Sequence, residues 1–341
     1  MSELTAGPPA LTKKDFISDQ EVRWCPGCGD YAILSAVQAV FPELGIPREN
    51  FVVISGIGCS SRFPYYLNTF GFHAIHGRAP AVATGIKVAN PDLSVWIATG
   101  DGDSLSIGGN HLIHTLRRNV DVKILLFDNR IYGLTKGQAS PTSEFGKKTK
   151  STPYGSVDHP FNPLAIALGA GATFVARSVD VYAPHLKEIL KAAAAHKGAS
   201  FMQIFQNCNI FNDGAFDPYR EKELRDDNVL HLRHGEPLVF GKNMDRGIRM
   251  AGPYRAEVTT LGNGVTEKDL LVHDERAPLG YAFMLAHMDP PDFPVPIGIL
   301  RRVDAPSFET ALREQIRAIT AKKGPGDLDK LLYSGDVWEV R

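Results

Sequence analysis

Four cysteines pose the first chemical question. Cys25 and Cys28 form a Cys-x-x-Cys pair inside "RWCPGCGD", while Cys59 and Cys208 come singly much further along. Such a pair can hold zinc, hold an iron–sulfur cluster or shuttle a disulfide. Four cysteines in 341 residues are too few for a disulfide-stapled secreted domain. Two close together and two remote is a spacing that suits four ligands brought to one point by folding. A closed zinc site usually offers two Cys-x-x-Cys knuckles, and this chain has one. Spacing alone leaves zinc and a four-thiolate [4Fe–4S] cluster nearly balanced.

A second constellation lies in "IATGDGDSLSIGGNHLIHTLRRNVDVKILLFDNRIYG", residues 97 to 133. An apolar run enters Gly100-Asp101-Gly102-Asp103, a helical stretch follows, and a second apolar run ends at Asp128-Asn129. Gly100 and Gly102 let the backbone approach a phosphate closely, and the following helix offers free N–H groups at its positive end. In a parallel sheet both strand ends open on one edge, so Asp101 and Asn129 face each other across one site. One carboxylate and one amide oxygen suit Mg²⁺, which keeps oxygens from substrate phosphates. An isolated GDG is more often a solvated turn; the two flanking strands and the placed asparagine favour a cofactor site.

Those residues need a scaffold, and residues 30 to 206 supply one. Short apolar runs at "FVVIS" (51–55), "SVWIAT" (94–99), "VKILLF" (122–127), "ATFVA" (172–176) and "FMQIF" (201–205) read as strands. Helical candidates lie between them at 30–41, 79–90, about 107–118, 162–168 and 181–196. The alternation predicts an α/β fold built on a doubly wound parallel sheet. Cys59 in "GIGCSS" follows the first strand and Cys208 the last, so both are expected on the edge that carries Asp101. Beyond 208 the rhythm is lost to charge, proline and glycine, with one amphipathic helix at 307–320. We divide the chain into a polar lead-in (1–19), the ligand-binding domain (20–208) and a C-terminal extension packed on that domain or on a partner (209–341).

Composition narrows the function classes. A formal net charge of −1 and 43% hydrophobic residues describe an ordinary globular protein. No basic run points to nucleic acid, and no stretch of ~18 apolar residues points to a membrane span. The N-terminal "MSELTAGPPALTKKDF" lacks the apolar core of a signal peptide, so a cytoplasmic location is expected.

The GDG stretch followed by an asparagine resembles the diphosphate motif of thiamine-diphosphate enzymes. That resemblance implies Mg²⁺ held by Asp101, Asn129 and the carbonyl of Ile131. Asp128 stands where most members carry a second asparagine. The stretches "WCPGCGDYAIL", "SGIGCSSR", "HGRAPAVATGIKVANP", "GDGDSLSIGGNHLIH" and "DNRIYGLTKGQASPT" together resemble the β subunit of 2-oxoacid:ferredoxin oxidoreductases, over about residues 20 to 210. The extension is less diagnostic. With a thiamine enzyme that needs an electron exit, the balance moves from zinc to a [4Fe–4S] cluster on Cys25, Cys28, Cys59 and Cys208.

The resemblance further implies thiamine diphosphate bound by Gly58, Ser60, Ser61, His76, Gly77, Arg78, Gly100, Gly102, Asp103, Leu134 and Thr135. His76 and Arg78 are placed at the cofactor and given a catalytic part, against the plainer reading of a loop histidine and its neighbour. Lys136 is assigned beside the reactive centre, where pyruvate-type relatives often carry a small residue. A compact cation there suits a second carboxylate and favours 2-oxoglutarate over pyruvate; a surface lysine is the plain alternative. His111 and His114, one turn apart, are set aside as packing or surface residues. The lysines of "GKKTK" (146–150) could steer coenzyme A or an acidic ferredoxin, or simply solvate a loop.

The expected activity is oxidative decarboxylation of 2-oxoglutarate with coenzyme A, two electrons leaving singly for ferredoxin. Thiamine catalysis also needs a carboxylate against the aminopyrimidine ring. No such glutamate is evident, and the family places it on an α subunit. The chain is thus expected to be half an enzyme, active with an α subunit, as an α₂β₂ assembly. The rivals are a pyruvate or broad 2-oxoacid enzyme, a zinc-stabilised non-redox protein on the thiamine fold, and a non-redox thiamine lyase.

Overall fold

Alternation with a period of two builds the centre of the molecule. Along β1 (Phe51–Ser55), Val52 and Ile54 join one apolar core while Phe51 and Val53 join another on the opposite face. Such a strand is buried on both sides, which explains its unbroken apolar run. The computed structural model describes residues 11–340, so the first ten residues of the expected lead-in lie outside the described residues.

The other strands are β2 (Phe70–His73), β3 (Ser94–Gly100), β4 (Val122–Asp128), β5 (Phe174–Val179), β6 (Ser200–Phe205), β7 (Val229–His231), β8 (Val239–Phe240), β9 (Arg246–Gly252), β10 (Arg255–Thr260) and β11 (Val295–Arg302). The helices are α1 (Asp30–Val40), α2 (Ala79–Ala89), α3 (Asp101–Leu105), α4 (Gly109–Arg117), α5 (Pro163–Gly169), α6 (Ala183–Ala195), α7 (Asp217–Arg220), α8 (Lys222–Asn228), α9 (Leu279–Ala286), α10 (Phe308–Lys323) and α11 (Leu328–Leu332). Eight strands form the main sheet in the order β2-β1-β3-β4-β6-β5-β11-β7. The first six are mutually parallel. Helices α2, α4, α5 and α9 cover one face, and α1 and α6 the other.

Three features differ from the expected pattern. The sheet is not wholly parallel: β11 pairs antiparallel to β5 and carries β7 with it, so residues beyond 208 complete the same sheet. β2 is an exposed edge strand of sequence FGFH, without the buried alternation that marks a strand in sequence. The helix expected after GDGD is split, because α3 ends and the chain turns at Ser106 before α4. Gly77 and Gly108 explain that break. Their backbones cross so closely that a Cβ on Gly77 would lie 2.5 Å from the Gly108 nitrogen. β8, β9 and β10 make a separate antiparallel sheet. Among the described residues, no helix is long and apolar enough to cross a membrane.

Candidate active site

The parallel strands deliver their loops to one edge. Gly100 ends β3 and Asp101, Gly102 and Asp103 follow it, Asn129 and Ile131 to Thr135 follow β4, and Gly58, Cys59 and Ser60 follow β1. With His76 after β2, these residues line a cavity of about 120 Å³. A larger cavity of about 590 Å³ lies in the C-terminal region between Asp226 and Glu267. It contains none of the expected site residues, and we take the smaller one as the site because the convergent polar groups are there.

Asp103 holds three loops together. Its Oδ1 accepts from the Ile57 amide (3.0 Å), the Gly77 amide (2.7 Å) and His76 Nδ1 (2.6 Å), while Oδ2 accepts from Thr99 Oγ1 (2.7 Å). The approach requires glycine at Gly56, where a Cβ would sit 1.9 Å from Asp103 Oδ2. The carboxylate is therefore occupied by protein donors, and Asp103 lines the cavity as its frame. His76, tied through Nδ1, lines the cavity itself. Arg78 does not line it; its guanidinium turns back to the His76 carbonyl at 3.2 Å.

Asp101 is 2% exposed. Ser140 Oγ (2.5 Å) and Thr142 Oγ1 (2.6 Å) both reach its Oδ2 rather than Oδ1, and Thr142 also reaches Asp128 Oδ1 at 2.9 Å. Burial and the neighbouring Asp128 push the Asp101 carboxyl well above its ordinary range. A pair of carboxylates so placed favours a cation. Asn129 donates Nδ2 to Gln206 Oε1 at 2.9 Å, and its Oδ1 accepts from the Ile131 amide at 3.2 Å. The hydroxyls of Ser60 and Ser61 are buried without a hydrogen-bond partner. Only Ser60 of the two lines the cavity, and an orphaned donor there awaits an acceptor. Gly102 carries its carbonyl to Tyr132 Oη (3.1 Å), with the tyrosine ring where a Cβ would project.

Leu134 and Thr135 line the cavity, Thr135 bonded to Gln138 at 2.5 Å. Lys136, next in the chain, is exposed and outside the lining, at φ +76°. A left-handed lysine is uncommon and marks a constrained turn. Its ammonium has no hydrogen-bond or ion-pair partner among the described residues. From the lysine cluster, Lys147 is held by Asn212. His111 and His114 lie on α4, away from the cavity.

All four cysteines are free thiols. Their segments are stitched together: Trp24 Nε1 donates to the Cys59 carbonyl (2.7 Å), Asn209 Nδ2 to the Pro26 carbonyl (2.6 Å), and the Gly29 amide to the Asn207 carbonyl (3.2 Å). Cys59 and Cys208 meet across Gly133, where a Cβ would lie 3.5 Å from one Sγ and 3.6 Å from the other. Burial pushes the Cys28 thiol up, and the Cys59 thiol up to about 12, with Asp30 adding to both. Among the described residues no three His, Cys, Asp or Glu side chains converge closely enough for a single metal ion. Cys59 lines the cavity, so the thiol group and the glycine–aspartate loop share a wall.

Sequence reasoning missed Ser140, Thr142, Asp128, Gln206, Tyr132 and Gly133. Asp128, Tyr132, Gly133, Ser140 and Thr142 all stand inside the quoted "DNRIYGLTKGQASPT" stretch; Gln206 lies one residue past the final strand and two before Cys208, a position that could have flagged it.

The parallel sheet, its loops at one edge and the glycine–aspartate cradle define a thiamine-diphosphate-binding fold. Residues 56–204 match the family described as thiamine pyrophosphate enzyme, C-terminal TPP binding domain. The chain is 56% identical to the 2-oxoglutarate oxidoreductase subunit KorB of Mycobacterium tuberculosis, over 96% of this chain and 88% of that protein. It is 50% identical to the β subunit of 2-oxoacid:ferredoxin oxidoreductase 1 of Aeropyrum pernix, over 69% and 73%. A solved structure of similar shape (TM-score 0.76, 36% identity, 96% and 97% covered) is the 2-oxoglutarate:ferredoxin oxidoreductase of Magnetococcus marinus with 2-oxoglutarate, coenzyme A and succinyl-CoA bound. The chain belongs to the family of 2-oxoacid:ferredoxin oxidoreductase β subunits.

Proposed function

We propose that the chain is the β subunit of a 2-oxoglutarate:ferredoxin oxidoreductase, which converts 2-oxoglutarate and coenzyme A to succinyl-CoA and CO₂ while reducing two ferredoxins. The observation that carries this is Cys59, which both lines the glycine–aspartate cavity and faces Cys208 across Gly133. Thiamine diphosphate supplies an electron sink for the decarboxylation, and a [4Fe–4S] cluster takes the electrons singly.

The residues fit both groups. Asp101 Oδ1, Asn129 Oδ1 and the Ile131 carbonyl would hold Mg²⁺. Gly100 leaves room for the diphosphate while Gly102 seats the Tyr132 ring, and Ser60 donates to the diphosphate, joined by Thr135 once its hydroxyl releases Gln138. Gly58 and Leu134 complete the walls, Ser61 and Gly77 support them from outside the lining, and the four cysteines hold the cluster. A cubane takes one thiolate at each of four irons, so its ligands stand further apart than around one zinc. His76, oriented by Asp103, presents its second nitrogen to the cofactor, and Arg78 fixes the His76 carbonyl. Lys136 meets the distal carboxylate of 2-oxoglutarate. An α subunit closes the site with the glutamate this chain lacks, in an α₂β₂ assembly in the cytoplasm; neither nucleic acid nor membrane takes part.

The test is anaerobic co-purification with the α subunit. A brown complex with about four irons and four sulfides per β chain is expected, active with 2-oxoglutarate and ferredoxin and much less so with pyruvate. Colourless zinc protein, or turnover indifferent to an electron acceptor, overturns the redox reading. Lys136→Ala is expected to erase the preference for 2-oxoglutarate; an unchanged preference removes that residue from the account.

A further inference from the structure

One buried side chain joins the two halves of the site. Gln206 is 1% exposed and follows β6, with its backbone amide on the Asp128 carbonyl at 3.0 Å. Its side-chain amide makes three contacts. Nε2 reaches the Asn207 carbonyl at 2.6 Å and Cys28 Sγ at 3.2 Å, and Oε1 receives Asn129 Nδ2 at 2.9 Å.

The orientation of this amide is forced. A backbone carbonyl can only accept, so the nitrogen must face Asn207 and the oxygen must face Asn129. The two N–H groups of Nε2 then have two acceptors, the carbonyl and the cysteine sulfur. Because Oε1 can only accept, Asn129 must present its nitrogen there. Its own oxygen is thereby turned the other way, toward the Ile131 amide and the cavity. Without Gln206, only the Ile131 amide is left to hold the Asn129 oxygen toward a cation, and the Asn129 amide nitrogen cannot bind one.

We propose that Gln206 is a positioning residue that couples the thiol centre to the cation site: it fixes Asn129 oxygen-first toward Mg²⁺ and donates an N–H to the Cys28 sulfur. This rests on the function proposed above. An N–H donated to a ligating sulfur stabilises the extra electron of a reduced cluster and raises its reduction potential. An outer-shell partner of a metal ligand typically controls affinity by 10–100-fold.

Two substitutions separate the two contacts. Gln206→Glu keeps an acceptor for Asn129 and removes the donor to Cys28; Gln206→Met removes both. In the anaerobic α–β complex, EPR-monitored redox titration is expected to show a more negative cluster potential for both variants than for the native complex. Fluorescence titration of the cofactor-depleted complex with Mg²⁺ and thiamine diphosphate is expected to show weakening by about tenfold or more for Gln206→Met and less than about threefold for Gln206→Glu. A native potential in a fully loaded Gln206→Glu complex overturns the sulfur contact, and equal Mg²⁺ affinities overturn the asparagine contact. Should Gln206→Met not assemble, the likewise uncharged Gln206→Leu replaces it in both titrations and decides both points. A native complex without any cluster sinks the functional reading as well, which distinguishes that failure from this one.

Discussion

The two edges of the main sheet bury polar groups in opposite ways. At the amino edge the buried charges of Lys87, Asp121 and Lys123 are paired. Lys123 Nζ donates to Asp121 Oδ1 (2.6 Å) and to the carbonyls of His196 (2.5 Å) and Gly198 (3.2 Å). Lys87 Nζ reaches Asp121 Oδ2 (3.1 Å) and the Leu93 carbonyl (2.7 Å). Burial alone would push Asp121 up, yet these two lysines hold its carboxyl down at about 2. Asn119 ties the same edge to the approach to α10 through the carbonyls of Ala305 and Pro306. At the carboxyl edge Asp103 is likewise paired, but several buried groups around it are not. Ser60, Ser61 and Ser104 have orphaned hydroxyls, both oxygens of Asp30 lack an N–H or O–H partner and face the Cys28 thiol, and Asp101 sits beside Asp128. Buried polarity stabilises where its partners are in the chain, and awaits a ligand where they are not.

Breaking the paired edge is expected to cost the most. Lys123→Met leaves part of the Asp121 charge buried and uncompensated, at about 3–5 kcal/mol. Chemical unfolding monitored by circular dichroism measures this, and the molecules that remain folded should bind thiamine diphosphate as before. A loss of cofactor binding without a loss of stability would erase the contrast between the edges.

The open edge predicts the reverse. Asp101→Asn is expected to lower turnover by about 10²–10³-fold, since it removes the carboxylate ligand of the Mg²⁺ that would anchor the diphosphate. The cofactor-free chain should be no less stable, because a repulsion with Asp128 is relieved. Steady-state kinetics and thermal denaturation of the same preparation check both halves; a sharply lowered melting temperature would make Asp101 a structural residue.

The smallest effect concerns pH. Burial, aided by Lys123, depresses His196 to about 4, and burial with His231 does the same for His185. Their folded pKa values lie below the unfolded value of 6.5, so the unfolded chain takes up protons first. Stability is then complete above about pH 6.5 and falls as pH drops toward 4. His196→Gln is expected to flatten that slope by about 1–2 kcal/mol between pH 7 and 5, measured by urea unfolding at each pH. An unchanged slope would mean that His196 takes no part in the amino-edge network's response to acid.

The sequence alone marked β1, β3, β4 and β6 with short apolar runs, because a strand buried on both faces has no polar positions to interrupt it. It also marked Asp101 and Asn129, since a parallel sheet sends every strand end to the same side. Tertiary structure alone decided the rest. The exposed strand β2 and the antiparallel β11 have no such local signature, because edge pairing depends on which neighbour is available. Ser140 and Thr142 reach Asp101 from about forty residues away, and Gln206 reaches Asn129 across 77. A hydrogen bond spanning that much chain imposes no periodicity on the residues between, so it becomes visible only when the loops are in place.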